Sequence, residues 1–113
     1  MGQLYKGDTG KTLRVNAGFD MSSYTELSLV FHKPNNTTVT KTTVDGVTLG
    51  TSNVTDEDLG ALVANEYVYY DLEAGFLDTA GRWCVYLIYT NTATDPDDIF
   101  NGAPARFTVK ELC

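Results

Sequence analysis

Residues 82–90 read R-W-C-V-Y-L-I-Y-T and are the stretch of the chain that most clearly favours a β-strand. β-branched and aromatic side chains fit a pleated surface better than a helix. Alternation places one apolar set, Trp83, Val85, Leu87 and Tyr89, on one face and a second, Cys84, Tyr86 and Ile88, on the other. Because both faces are largely apolar, the stretch predicts a central strand covered on both sides, and a partner protein could supply the second cover.

Other segments with a two-residue period lie on both sides of this strand. Residues 26–32 alternate clearly, with Leu27, Leu29 and Phe31 on one face. Further strands are predicted at 12–17, 37–43, 47–49, 66–72 and 105–110, with a hairpin turn at Asp45-Gly46 and a long polar loop over 92–103. The burial prediction is that the inward faces hold Leu29, Phe31, Trp83, Leu87 and Phe107.

Only one segment has helical features. Thr55 could cap a helix, Asp58 follows three residues later, and Leu59 and Leu62 fall on one side, although Gly60 weakens the pattern. We therefore expect one short helical turn near 56–63. The 113 residues suffice for one domain, spanning 1–113, and the predicted fold is all-β, an immunoglobulin-like β-sandwich of about seven or eight antiparallel strands.

The charge balance disfavours two classes of partner. Eight Lys and Arg oppose fifteen Asp and Glu, which gives a net charge of −7. Such a chain is repelled by nucleic-acid phosphates and by anionic membranes, and it has no apolar run long enough for a membrane-spanning helix. Residues 1–11 lack the apolar stretch of a signal peptide, so we expect a protein that is made and kept in the cytoplasm.

Residues that could carry chemistry are few. His32 is the only histidine and is interpreted as a surface residue at a strand end. The thiols of Cys84 and Cys113 are expected to be reduced in a cytoplasmic protein. The acidic stretch 94–98, T-D-P-D-D, could hold Ca²⁺ or be a solvated loop, and Gly10-Lys11-Thr12 only mimics a phosphate-binding loop. We expect no enzyme activity, no cofactor and no metal site.

Tyrosines are concentrated on two predicted strands. Alternation places Tyr67 and Tyr69 on one face and Tyr70 on the other, so at least one set lies on an outer sheet face. Packing and partner binding both account for such tyrosines. The candidate interface comprises Tyr67, Tyr69, Tyr70 and Tyr86, together with the N-terminal pair Leu4 and Tyr5.

Several short motifs occur in a characteristic order. Residues 7–9 (G-D-T) lead into the first strand, and residues 33–37 (K-P-N-N-T) lie between two later strands. Residues 77–83 (L-D-T-A-G-R-W) form a corner before the strongest strand. The series resembles the small immunoglobulin-like domains of tailed-phage virions, most nearly the N-terminal domain of baseplate upper proteins.

The resemblance implies a structural virion protein. Such a protein would be a non-enzymatic adaptor in the tail, baseplate or neck, assembled in the host cytoplasm and present in several symmetric copies. Its partners would be other virion structural proteins, and neither nucleic acid nor membrane. Two alternatives stay open, a capsid decoration protein and a carbohydrate-binding module that uses exposed tyrosines or the 94–98 stretch.

Overall fold

The structure, a computed structural model, describes residues 3–112, and its regular secondary structure is almost entirely β. The described chain has eleven strands and one short 3₁₀ helix. The strands are β1 (Leu4–Tyr5), β2 (Thr12–Asn16), β3 (Glu26–His32), β4 (Thr38–Thr42), β5 (Thr48–Leu49), β6 (Val54–Asp56), β7 (Gly60–Leu62), β8 (Tyr67–Asp71), β9 (Gly81–Asn91), β10 (Asp98–Asn101) and β11 (Ala105–Lys110). The all-β prediction is confirmed, with more and shorter strands than the seven or eight expected.

The large sheet is built around β9, the strand predicted to be central. β9 pairs antiparallel with β3 along one edge and with β10 and β11 along the other. β4 extends the sheet beyond β3, and β1 adds to the far edge of β11 in parallel orientation. The central position of β9 is therefore confirmed, while the parallel β1 makes the sheet mixed rather than wholly antiparallel.

The small sheet contains β2, β8 and β5 in that order, all antiparallel. A 3₁₀ turn over Thr43–Asp45 carries the chain out of β4 in the large sheet and into β5 in the small one. The Asp45 carboxylate accepts a hydrogen bond from the Thr42 N–H at 2.9 Å, and Gly46 has a φ of 112°. The predicted hairpin at Asp45-Gly46 is wrong, because the strands on its two sides belong to different sheets.

Both sheets contribute to one hydrophobic core. The large sheet supplies the inward faces of β9 and β3, and the small sheet supplies Leu13, Val15 and Val68. The burial prediction is confirmed for Leu29, Phe31, Trp83 and Leu87. Phe107 is only partly buried, because it lies on β11, near an open side of the core. The outward face of β9 has no second layer of strands over it in residues 3–112, so this chain covers β9 on one side.

The segment 56–63 is not the predicted helical turn, because most of it belongs to a β-hairpin in which β6 (Val54–Asp56) pairs with β7 (Gly60–Leu62). The Asp56 carboxylate accepts hydrogen bonds from the N–H groups of Asp58 and Leu59, at 3.0 and 3.1 Å. Gly60 then adopts a φ of 78°, in the left-handed region that favours glycine. A carboxylate that accepts hydrogen bonds from the N–H groups two and three residues later stabilises a tight turn as well as a helix N-terminus. The same residues therefore predict a helix from sequence alone.

The stretch 92–103, predicted to be a polar loop, contains β10. This strand pairs with the last residues of β9 and points Phe100 toward the core, where its ring meets Phe19 edge-on at 4.8 Å between centroids. Ile99 points the other way and is exposed. The loop prediction is wrong for 98–101. Acidic residues precede this short strand, and a single inward aromatic residue, Phe100, gives too little alternation for the sequence to predict it.

The motifs at 33–37 and 77–83 meet in three dimensions. Gly81 has a φ of 129°, and a Cβ there would lie 2.8 Å from Cγ of Pro34. Lys33 Nζ lies 3.0 Å from the Asp78 carboxylate and 5.5 Å from the centroid of the Trp83 ring. These contacts join the turn after β3 to the corner that leads into β9, and Gly81 provides the close approach.

Candidate protein interface

Two of the candidate interface tyrosines are packed inside the chain. Tyr70 lies in the core with 2% of its surface exposed, and its hydroxyl donates to the Glu73 carboxylate. Burial raises the pKa of Tyr70, and the hydrogen bond and charge of Glu73 raise it further. Lys41 Nζ lies 3.0 Å from the same carboxylate. The Tyr70 hydroxyl, the Glu73 carboxylate and the Lys41 ammonium therefore form one polar cluster. The Tyr70 side chain is not available to a partner.

Tyr67 lies on the outer face of the small sheet but is only 3% exposed. Its hydroxyl donates to the Ser52 carbonyl at 2.8 Å, and its ring packs directly on the backbone of Gly50. The segment that follows β5 therefore covers this tyrosine. Tyr69, its neighbour on the same face, stays half-buried and reaches the surface.

Of the N-terminal pair, Leu4 is buried and Tyr5 reaches the surface. Leu4 is 2% exposed and belongs to the core, because β1 adds to the edge of β11. Tyr5 is half-buried, and its hydroxyl donates to the Gln3 side chain at 2.9 Å. Met1, Gly2 and Cys113 lie outside the described residues.

An apolar patch occupies the outer face of the large sheet. The outer patch, as we call it, comprises Val30, Cys84, Tyr86, Ile88 and Ile99. Val30 lies opposite Tyr86, and Ile99 lies opposite Thr90, the residue that follows Ile88 on this face. Ile99 is 58% exposed, Cys84, Tyr86 and Ile88 are half-buried, and Val30 is 7% exposed. Threonines of β4 flank it, with Thr40 directly opposite Val30. Between Ser28 and His32 of β3, and across the facing residues of β4 and β9, this face has no Asp, Glu, Lys or Arg. Charged residues border the patch at both ends, where Arg106 lies beside Cys84 and Glu26 lies beside Thr90.

His32 borders the outer patch. Its ring stacks on Tyr86 with 5.9 Å between centroids and 20° between planes, and its Nδ1 lies 3.2 Å from the Thr38 hydroxyl. The side chain is exposed at the end of β3, where the sequence placed it. The stack adds a second flat ring at the border of the patch.

A partly buried ion pair joins the small sheet to the 54–62 hairpin. The Arg14 guanidinium lies 3.1 Å from Asp56 Oδ1, and Asp56 is only 5% exposed. Burial raises the pKa of Asp56, but hydrogen bonds from the Asp58 N–H, the Arg14 guanidinium and the Leu59 N–H outweigh it and bring the pKa below its usual value. Sequence reasoning missed this pair, because a helix over 56–63 gives no reason to place Asp56 beside β2.

The pair predicts a pH dependence of stability. A carboxyl whose pKa is lowered by folding contributes stability above its unfolded pKa, near 3.8, and loses it as the pH falls through the folded value. Asp56→Asn should lower the free energy of unfolding at neutral pH, and the variant and wild-type curves should converge in acid. Urea unfolding across the acidic range measures this. Asp95→Asn, at an exposed loop residue, is the control, and parallel curves for Asp56→Asn would contradict the assignment.

Nothing in the described residues points to a metal site or to a membrane-spanning helix. Within residues 3–112, no three His, Cys, Asp or Glu side chains lie close enough together to hold a metal ion, including those of the 94–98 stretch. No helix in the described part of the chain has the length and apolarity needed to span a membrane. The chain matches no protein-family model, no curated protein and no solved structure.

Proposed function

We propose that this chain is an immunoglobulin-like structural domain of a tailed-phage virion, a non-enzymatic adaptor that makes protein–protein contacts in the tail, baseplate or neck. It assembles in the host cytoplasm, in several symmetric copies, with other virion structural proteins. The order of motifs in the sequence supports the virion part of the proposal. Two sheets that share one core, with Trp83 buried beside the Gly81 corner, support the immunoglobulin-like part.

The outer patch is the observation that carries the adaptor role. Its apolar and aromatic side chains lie on a sheet face that no other strand of residues 3–112 covers. Contiguous apolar surface of this kind marks interaction sites on soluble proteins. The absence of ionised groups from its centre favours protein contact, because no charge has to be desolvated when a neighbour packs there.

Substitution in the outer patch tests the proposal. Tyr86→Glu places a charge at the centre of the patch, and we expect it to reduce incorporation of the chain into particles by about tenfold or more, since burial of an unpaired carboxylate costs several kcal/mol. Incorporation is measured by quantitative mass spectrometry of washed particles. Thermal melting of the purified variant checks that it is folded.

Two further variants sharpen the comparison. Thr40→Glu changes an exposed residue opposite Val30 and should reduce incorporation without an effect on the core. Tyr24→Glu introduces the same Tyr-to-Glu substitution at an exposed loop residue outside the patch, and it serves as the matched control. Normal incorporation of folded Tyr86→Glu and Thr40→Glu would contradict the adaptor role of this face. A monomer that binds sugar would favour the carbohydrate-binding alternative.

A further inference from the structure

A cleft of about 430 Å³ opens between β2 and β11, on the opposite side of the core from β4 and β5. Core side chains Leu4, Leu13 and Val85 line it together with the partly exposed Phe107 and Leu59. Leu59, at the tip of the 54–62 hairpin, is 48% exposed. We call this the edge cleft, because both strands that border it lie near the edge of a sheet.

The edge of β2 that faces away from β8 has main-chain groups available for pairing. The Leu72 N–H donates to the Lys11 carbonyl, and the Ala17 N–H donates to the Glu66 carbonyl. The main-chain groups of the odd-numbered residues in and beside β2 are therefore directed toward β8. By alternation, the N–H and C=O groups of Thr12, Arg14 and Asn16 point away from β8. No strand among residues 3–112 pairs with that edge.

The opposite wall of the edge cleft is similar. The Lys6 N–H donates to the Lys110 carbonyl, which places the main-chain groups of even-numbered β11 residues on the β1 side. β1 pairs only with Val109 and Lys110, so within the described chain the same side of Arg106 has no strand beside it. An apolar cleft bordered by two strand edges has the main-chain and side-chain features that strand addition requires.

Charge at the edge cleft indicates what kind of segment fits it. Arg106 and Lys110 line the β11 wall. On the other side of the cleft Arg14 is paired with Asp56, and the carboxylate-bearing Asp58 also lines the cleft, so the excess of positive charge lies on the β11 wall. The chain as a whole has a charge of −7, so these two cations stand out against an acidic background. A segment that has carboxylates beside Arg106 and Lys110, and apolar side chains between them, complements both features.

We propose that the edge cleft binds an extended segment of a partner protein, with apolar residues alternating with acidic ones, which adds to β2 as a further strand. Its apolar side chains contact Leu13, Leu59 and Phe107, and its main chain pairs with Thr12, Arg14 and Asn16. The edge cleft adjoins the outer patch at Arg106, which lies opposite Cys84. Strand addition is still tested independently of the adaptor role, because protection of the β2 amides reports on the cleft alone.

A synthetic peptide of alternating Val and Glu is the probe. Its binding to the full chain is followed by fluorescence anisotropy, and hydrogen exchange then locates it. We expect saturable binding and slower exchange at the amides of Thr12, Arg14 and Asn16. The double variant Arg106→Glu/Lys110→Glu changes exposed side chains and should weaken binding at least about tenfold. Arg82→Glu, an exposed cation outside the cleft, should leave affinity within about twofold of wild type.

Several outcomes would overturn the proposal. No binding at millimolar peptide, equal binding of a peptide N-methylated at alternate residues, or protection at the outer patch would each exclude strand addition to β2. Binding of decanoate without binding of the peptide would assign the cleft to a small amphipathic acid. Protection of the same amides in concentrated protein without peptide would assign it to a second copy of the chain.

Discussion

Trp83→Ala should lower the free energy of unfolding by about 3–5 kcal/mol, a large fraction of the total for a domain of this size. Trp83 has no exposed surface and stacks on Phe107, with 5.7 Å between ring centroids. Its indole N–H donates to the Thr79 carbonyl at 2.9 Å, in the corner before β9. Truncation therefore opens a cavity and leaves that carbonyl without its donor.

Thermal and urea unfolding measure this effect. We expect the midpoint of thermal unfolding to fall by about 10–20 °C. Val44→Ala is the control, since Val44 is 92% exposed and its truncation should change stability by less than about 0.5 kcal/mol. A Trp83→Ala melt within a few degrees of wild type would mean that the inward face of β9 is assigned wrongly.

Gly50→Ala should cost about 3 kcal/mol, through overpacking rather than a cavity. A Cβ at Gly50 would lie 2.0 Å from Cζ of Tyr67, and the ring cannot easily move because its hydroxyl is bonded to Ser52. The Gly50 backbone is also held, since its N–H donates to Tyr67 and its carbonyl accepts from Asn65. The clash has to be relieved by displacing the segment that covers Tyr67.

A double-mutant cycle isolates this contact. In a Tyr67→Ala background the added methyl group has room, so most of the cost of Gly50→Ala should disappear. Gly102→Ala is the matched control, because a Cβ there meets its neighbours only at 3.5 Å or more. An unchanged cost of Gly50→Ala in the Tyr67→Ala background would show that the ring is not the obstacle.

The long strands could be predicted because their sequence pattern and their environment agree. β3 and β9 alternate over seven or more residues, and one face of each is inward, so local periodicity was sufficient. The short strands β6, β7 and β10 contain few apolar residues, and pairing with a neighbour rather than periodicity determines them. The sequence pattern therefore predicts a helical turn and a loop where the structure has the hairpin and β10.

The candidate interface could be predicted only in part, for a related reason. Alternation correctly separated Tyr67 and Tyr69 from Tyr70, but it does not show which outer face another segment covers. The segment that follows β5 buries Tyr67, because Gly50 packs against the Tyr67 ring. The two residues are far apart in sequence, so alternation along one strand does not predict this contact. Tyr86 remains on an uncovered face, because the apolar outer side of β9 receives no second layer in residues 3–112.

Quantitative mass spectrometry of purified virions tests the central proposal most directly. If the chain is a structural adaptor, tailed-phage particles from its source should contain it in a fixed number of copies that survives washing and is an integral multiple set by the particle's symmetry. Absence of the chain from those particles, together with a monomeric protein in the host cytoplasm, would contradict the account.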